Sequence, residues 1–372
     1  MVESTVKNKP NTLEMPIRIA KRNEMGRKKV ILLRIATFAL AIIAGGIFIA
    51  AMGQNPIEAY KLILKGAFVG SQRNPLSSIQ ATVIIFVPLL IVSIALSFAF
   101  KMKFWNIGGE GQMIVGAIFA SYFAIFHSNL PHIVLILLMF FGGALGGALW
   151  ALLPTLFKVR FDTNETLFTL MLNYVAFYIV KYLETLTGWR ARAGFASIKH
   201  FEDNAKLLKV GGVHIGWILA LLLIFLAYFY LNHTKQGYEI SVVGESQATA
   251  RYAGMNVRRI ILRTMIISGA VCGIAGMIQV AGIDYTLSTG VTGGVGFKGI
   301  TVAWLAQLNP FIMALIAAIF SILEKGSGVM QSTLKISAAA TDVLQGIILF
   351  FFLGGEFFTR YTFVITKRRV KK

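Results

Sequence analysis

Residues Phe104-Trp105-Asn106-Ile107-Gly108-Gly109-Glu110-Gly111-Gln112-Met113 set a carboxylate, two amides and three glycines directly ahead of an apolar run, Ile114–Phe126. The chemistry on offer is recognition rather than bond-making. Glycine releases the backbone from regular helix. Unwound backbone at membrane depth is tolerated where it is buried in protein or lines a water-filled cavity. A short helix starting there presents free N–H donors and partial positive charge, which suit hydroxyls or carbonyls of a solute. Glu110 is the ionisable member. At membrane depth, where a charge is costly, it would cap the unwound backbone, touch a solute or titrate; at the surface it is an ordinary solvated carboxylate. A second stretch of the same kind, Gly293-Gly294-Val295-Gly296-Phe297-Lys298-Gly299, leads into Ile300–Leu308. Paired breaks, one in each half of a chain, are the sequence mark of a central path across a membrane; the plainer reading is tight surface loops. On the path reading the lining residues are Asn106, Gly108, Glu110, Gln112 and Met113 from the first break, and Gly296, Phe297 and Ile300 from the second.

A third candidate is polar. Tyr238–Ser246 leads into Gln247-Ala248-Thr249-Ala250-Arg251-Tyr252-Ala253-Gly254. Ser246 suits a helix N-cap and Gly254 a C-terminal stop. A small Ala-rich helix there can press into a groove on a partner; a plain amphipathic loop is the other reading. Other motifs fall away. Gly294-x-Gly296-x-x-Gly299 has dinucleotide-loop spacing but sits between apolar helices, not after a strand. No Gly-Lys-Ser or Gly-Lys-Thr occurs, so the chain has no P-loop. The five histidines are scattered and make no metal site. No nucleophile stands beside a base. The expectation is a non-enzyme that binds no cofactor and no metal of its own.

The elements that must position these residues are membrane helices. Of 372 residues, 56% are hydrophobic and 14% charged, against about 25% charged in soluble domains. Runs such as Ile31–Met52, Ala81–Phe100, Ile133–Phe157 and Ile336–Leu353 approach the roughly 20 residues that cross a bilayer. The fold class expected is all-α, a polytopic transmembrane bundle of about eight full spans plus one or two partial ones. Ile300–Leu308 and Pro310–Leu323 look too short to cross alone. The net charge of +20 gathers at the ends and in short loops. Lys21, Arg22, Arg27, Lys28 and Lys29 precede the first span, and Lys367, Arg368, Arg369, Lys371 and Lys372 close the chain. This is the positive-inside pattern, with both termini cytoplasmic, rather than a nucleic-acid footprint. The expected division is a basic tail 1–30, a membrane domain 31–355 and a second basic tail 356–372. Within the domain, 235–263 carries five basic residues and is expected on the cytoplasmic side; 188–212 is expected outside. Cys272, the one cysteine, allows no internal disulfide.

At these residues the sequence resembles a known family. Phe104–Met113 is similar to the FNIGxEGQ signature of ABC-importer permeases of the simple-sugar and nucleoside branch, relatives of branched-chain amino-acid permeases. Asn164-Glu165-Thr166 with Met171-Leu172-Asn173-Tyr174 resembles that family's NEV…MLNY stretch, which adds Asn173 to the path residues. Gly237–Gly254 resembles its coupling segment, and Gly296–Ala303 resembles GFxGIAVALLG. Ser241 and Thr301 depart from the usual Arg and Ala. The likeness runs from about Asn55 to Gly355. It implies a multi-pass protein of the cytoplasmic membrane that pairs with a second permease, as homo- or heterodimer. It also implies an extracytoplasmic solute-binding protein and two cytoplasmic ABC ATPase subunits, which use the ATP and magnesium. Gly244, Glu245, Ala250, Arg251, Tyr252, Ala253 and Gly254 would contact the ATPase. The Glu-Gly-Gln break is nearest the nucleoside branch, so the expected cargo is a nucleoside, or else a simple sugar. The alternative is a proton-coupled secondary transporter using Glu110 or Asp284, which a proton uncoupler would distinguish.

Overall fold

The computed structural model describes residues 17–21, 26–192 and 197–365. Arg22, Lys367, Arg368, Arg369, Lys371 and Lys372, part of the expected basic tails, lie outside them. In chain order the elements are β1 (Ile17–Lys21), α1 (Arg27–Ala51), α2 (Pro56–Phe68), α3 (Ser77–Lys101), α4 (Gly109–Phe126), α5 (His132–Phe161) and α6 (Glu165–Leu183). Then come β2 (Lys209–Val210), β3 (Val213–His214), α7 (Gly216–His233), α8 (Lys235–Glu245), α9 (Gln247–Tyr252), α10 (Val257–Gln279), α11 (Val295–Leu305), α12 (Pro310–Leu334), α13 (Ala338–Arg360) and β4 (Tyr361–Ile365). Contacts divide the chain into two units, Met1–Ala59 with Ser337–Lys372, and Tyr60–Ile336.

In the smaller unit α1 lies along α13. β1 pairs antiparallel with β4, Ile17 opposite Ile365 and Lys21 opposite Tyr361. Because one strand enters α1 and the other leaves α13, the two helices run antiparallel with both strands at one end. Thr37 and Gly355 set the approach: a Cβ on Gly355 would come within 2.5 Å of the Thr37 hydroxyl. The expected polar tails therefore contain a short ribbon.

In the larger unit α3 is the centre. Every residue from Val87 to Phe100 is buried, so this helix has no polar face to show. α5 and α10 interlock through small residues. Gly143 and Gly147 on α5 meet Gly269 and Gly273 on α10, each pair four residues apart. A Cβ on Gly143 would lie 2.9 Å from Met277 Cβ and 3.1 Å from the Gly273 carbonyl. Small residues at this spacing let helix backbones close up without a hydrophobic drive from water.

Among the described residues nine helices are long and apolar enough to cross a bilayer: α1, α3, α4, α5, α6, α7, α10, α12 and α13. The expectation that Pro310–Leu323 is too short is corrected. α12 runs 25 residues, to Leu334, straight through the charged pair Glu324-Lys325. The sequence reading stopped at those charges, but packing carries the helix past them: Gly326 sits against the backbone of Ile63 on α2. α13 is likewise long and apolar enough to cross, and of the three apolar helices in this last third α11 alone is short.

A further stretch of the larger unit runs along the bundle partly without helix. α10 continues through a π-turn, Val280–Asp284. That turn packs on the loop between α6 and α7: Leu207 N–H donates to Ala281 O at 2.9 Å and Phe201 N–H to Tyr285 O at 2.8 Å. From there 286–294 runs back along the bundle as irregular chain and leads into α11. Gly299 lies on Val92 and Ser93, and Trp304 meets the Phe100 ring at 5.5 Å. α11 and α3 therefore run parallel, and the start of α11 is level with the middle of α3.

Candidate translocation site

The first break begins where α3 ends. Lys103 takes a left-handed backbone, φ 57°, and the chain turns under Phe104 into Asn106. Asn106 is fully buried. Its Oδ1 accepts from Gly108 N–H at 3.0 Å and from Gln112 Nε2 at 3.1 Å. Its Nδ2 donates to Gln112 Oε1 at 3.2 Å. The two amides thus close on each other.

α4 starts at Gly109 with Gly108 as N-cap, which has no side chain to satisfy the first N–H groups. α6 supplies the missing acceptor. Asn173 Oδ1 takes the Gly111 N–H at 2.8 Å, and its Nδ2 donates to Ile107 O at 3.0 Å. One turn earlier, Thr169 Oγ1 takes the Ile107 N–H at 3.2 Å. Glycine at 111 leaves room for this cap: a Cβ would meet Asn173 Oδ1 at 2.9 Å and Trp150 Nε1 at 3.0 Å.

The second break meets the first through Glu110. Its carboxylate accepts from Gly296 N–H at 2.7 Å and from the Thr292 hydroxyl. Gly294, at φ +76°, is the N-cap of α11, so Glu110 caps that helix from outside, as a negative charge at a positive helix end. Gly296 has no room for a Cβ, which would lie 2.5 Å from Glu110 Cα. Glu110 is 8% exposed, and α11 begins level with mid-α3. Its place is therefore the interior of the bundle, not a surface loop.

The structure brings together Asn106, Gly108, Glu110, Gln112, Asn173 and Gly296. Met113 is buried, with its backbone carbonyl against Gly276 of α10, so it faces helix packing. Phe297 is 44% exposed and Ile300 is half-buried; both stand off this network. The donors that the sequence offered to a solute are occupied: Gly111 by Asn173 and Gly296 by Glu110. Thr169 and Thr292 went unnoticed in the sequence. Thr169 was findable as the residue one turn before Asn173; nothing in the order of residues points to Thr292. Asp284, the other carboxylate singled out, bonds Gln279 Nε2 at 3.1 Å at the far end of α10.

At the other end of the bundle lies the polar segment. Thr234 caps α8, accepting from Gly237 N–H at 3.1 Å, and Ser246 caps α9, accepting from Thr249 N–H at 3.2 Å. Gly244 packs on the Lys101 carbonyl at the end of α3. Arg263 of α10 pairs with Glu239 of α8 at 3.0 Å. α8 is thus fastened to two core helices. On α9, Ala250 is fully buried while Tyr252 is 97% exposed; Glu245, Arg251, Ala253 and Gly254 are exposed and Gly244 is buried.

Comparison with known proteins fits this geometry. Residues 78–353 match the family of the branched-chain amino acid transport system, permease component. The chain belongs to this permease family. Among relatives, the glucose ABC transporter permease protein of Haloferax volcanii is 27% identical over 88% of each chain. The guanosine ABC transporter permease protein NupP of Bacillus subtilis is 30% identical over 86% of this permease and 92% of the relative. A second guanosine ABC transporter permease protein of that organism, NupQ, is 27% identical over 65% of this permease and 78% of its own length. The permease is thus a multi-pass membrane subunit of an ABC transport system. The Glu110–Gly296 joint and the α8–α9 segment both lie within the matched residues.

Proposed function

We propose that this permease carries a nucleoside inward, or a simple sugar by the same architecture, as one half of an ATP-driven importer. The observation that supports this most is the Glu110–Gly296 joint, where two helix starts meet deep in the bundle. Helices that begin inside the membrane can separate there without exposing a whole span. The exposed tip of α9 supports a partner below, and the rigid tie of α8 to α3 and α10 gives that partner a lever on the core. The partner is an ABC ATPase pair using ATP and magnesium. The second membrane half is a different permease, by analogy with the two guanosine permease proteins of one Bacillus species. An extracytoplasmic binding protein delivers the solute. Both termini are cytoplasmic, in keeping with the basic residues flanking α1. Asn106, Gly108, Glu110, Gln112, Asn173 and Gly296 form the hinge of the path; Phe297 and Ile300 line it.

The test is uptake into proteoliposomes holding the full assembly. ATP-dependent accumulation of labelled guanosine or glucose that resists a proton uncoupler is the expected result. Accumulation without ATP that collapses with the uncoupler would replace this reading with a proton-coupled carrier.

A further inference from the structure

α11 and α12 carry an ion pair beside the joint, close enough for the Lys298 charge to act on Glu110. Lys298 Nζ lies 2.9 Å from Glu324 Oε1, with side chains 27% and 32% exposed. Glu324 is ten residues from the end of α12 and fourteen from its start, about 15 Å and 21 Å of helix. A partly exposed charge pair at that depth is costly against lipid, and such residues turn toward water or protein. Its surroundings agree. Phe297, beside Lys298, is 44% exposed, and Thr301 and Trp304 follow it along the same face of α11. Trp304 stacks on Trp105 at 5.2 Å and 16°. Above them the backbone of Gly293 and Gly294 has open space where side chains would be.

We infer that the Lys298–Glu324 pair is a solute-reading station on the path, taking a neutral solute with adjacent hydroxyls. Glu324 accepts from one hydroxyl and Lys298 donates to its neighbour, so the pair exchanges its mutual bond for two bonds to the solute without leaving a buried charge bare. The exposed ring of Phe297 offers an apolar platform for the ring that carries those hydroxyls. The ligand chemistry rests on the importer reading above; the path-facing side of α11 does not.

The experiment has two arms on the full assembly in nanodiscs and proteoliposomes. Cys272 is fully buried, so the wild-type chain is a blank for thiol labelling. Phe297→Cys and Thr301→Cys should react with a charged, membrane-impermeant methanethiosulfonate in at least one nucleotide state. Leu222→Cys, on the wholly apolar stretch of α7, should not. Labelling at 297 and 301 no faster than at 222, with and without ATP, would overturn the path assignment. In the second arm, guanosine and its 2′,3′-dideoxy analogue compete for uptake. Lys298→Gln and Glu324→Gln should shrink the wild-type preference for guanosine at least fivefold at equal assembly yield. An unchanged preference would overturn the hydroxyl assignment alone. No ATP-driven uptake of any nucleoside or sugar by the wild type would overturn that assignment together with the importer reading, and the labelling arm would still decide the path.

Discussion

Glu110 and Gly296, 186 positions apart in sequence, are joined by a carboxylate that accepts the second backbone N–H of α11 at 2.7 Å. The bond locks the first turn of α4 to the first turn of α11. Hydrogen bonds to charged groups contribute about 1.5–3 kcal/mol in soluble proteins. Glu110→Gln keeps the shape but turns one accepting oxygen into a donor facing Thr292 or Gly296. We expect insertion and assembly to persist while ATP-driven uptake falls at least tenfold. Uptake at the wild-type rate would show that the joint stays closed through the cycle.

Asn173 caps α4 from α6. Asn173→Ala strips the acceptor from Gly111 N–H and the donor from Ile107 O. Each loss at a buried site costs about 1–3 kcal/mol. The midpoint of thermal unfolding in detergent should fall by several degrees. Asn173→Asp should recover part of the loss, since its carboxylate still accepts from Gly111. Equal midpoints for Ala and Asp would show that the cap does not matter.

Tyr252 separates docking from folding. It is 97% exposed at the tip of α9, so Tyr252→Ala should leave the membrane fold intact and lower uptake together with ATPase binding. Ala250→Asp would instead bury a charge where the native side chain is 0% exposed. A pull-down with the ATPase subunits, beside the yield of folded permease, distinguishes the two. Normal ATPase binding by Tyr252→Ala would remove α9 from the docking surface.

His214 makes the loop between α6 and α7 acid-sensitive. It is 1% exposed and packs on Gly282 and Gly216. Among the described residues neither ring nitrogen has a hydrogen-bond partner. Burial, with Lys209 adding to it, lowers its pKa to about 4, against about 6.5 in an open chain. Between those values the open loop binds a proton and the closed loop does not. Closure is therefore fully stabilised above pH 6.5 and weakens as pH falls toward 4, by about 3 kcal/mol across the window. Proteolysis or hydrogen exchange at 198–214 should speed up over that range. His214→Leu should flatten the dependence; an unaltered profile would locate the sensitivity elsewhere.

Much of this was legible in the order of residues. The deficit of charge and the long apolar runs fixed a helical membrane bundle, because no soluble fold could wet such a surface. The glycine clusters at 108–111 and 293–299 marked where helix would fail, and Ser246 and Gly254 marked the ends of α9, because capping and backbone freedom are local. The end of α12 was misread, since Glu324 and Lys325 look like a terminus until Lys298 is seen beside Glu324. Only the folded chain decided which donors meet which acceptors. That Glu110 reaches Gly296, that Asn173 rather than a solute takes Gly111, and that the start of α11 lies level with mid-α3 depend on α3, α4, α6 and α11 converging. No local pattern encodes that convergence, because it is the packing of small residues among distant helices that brings them together.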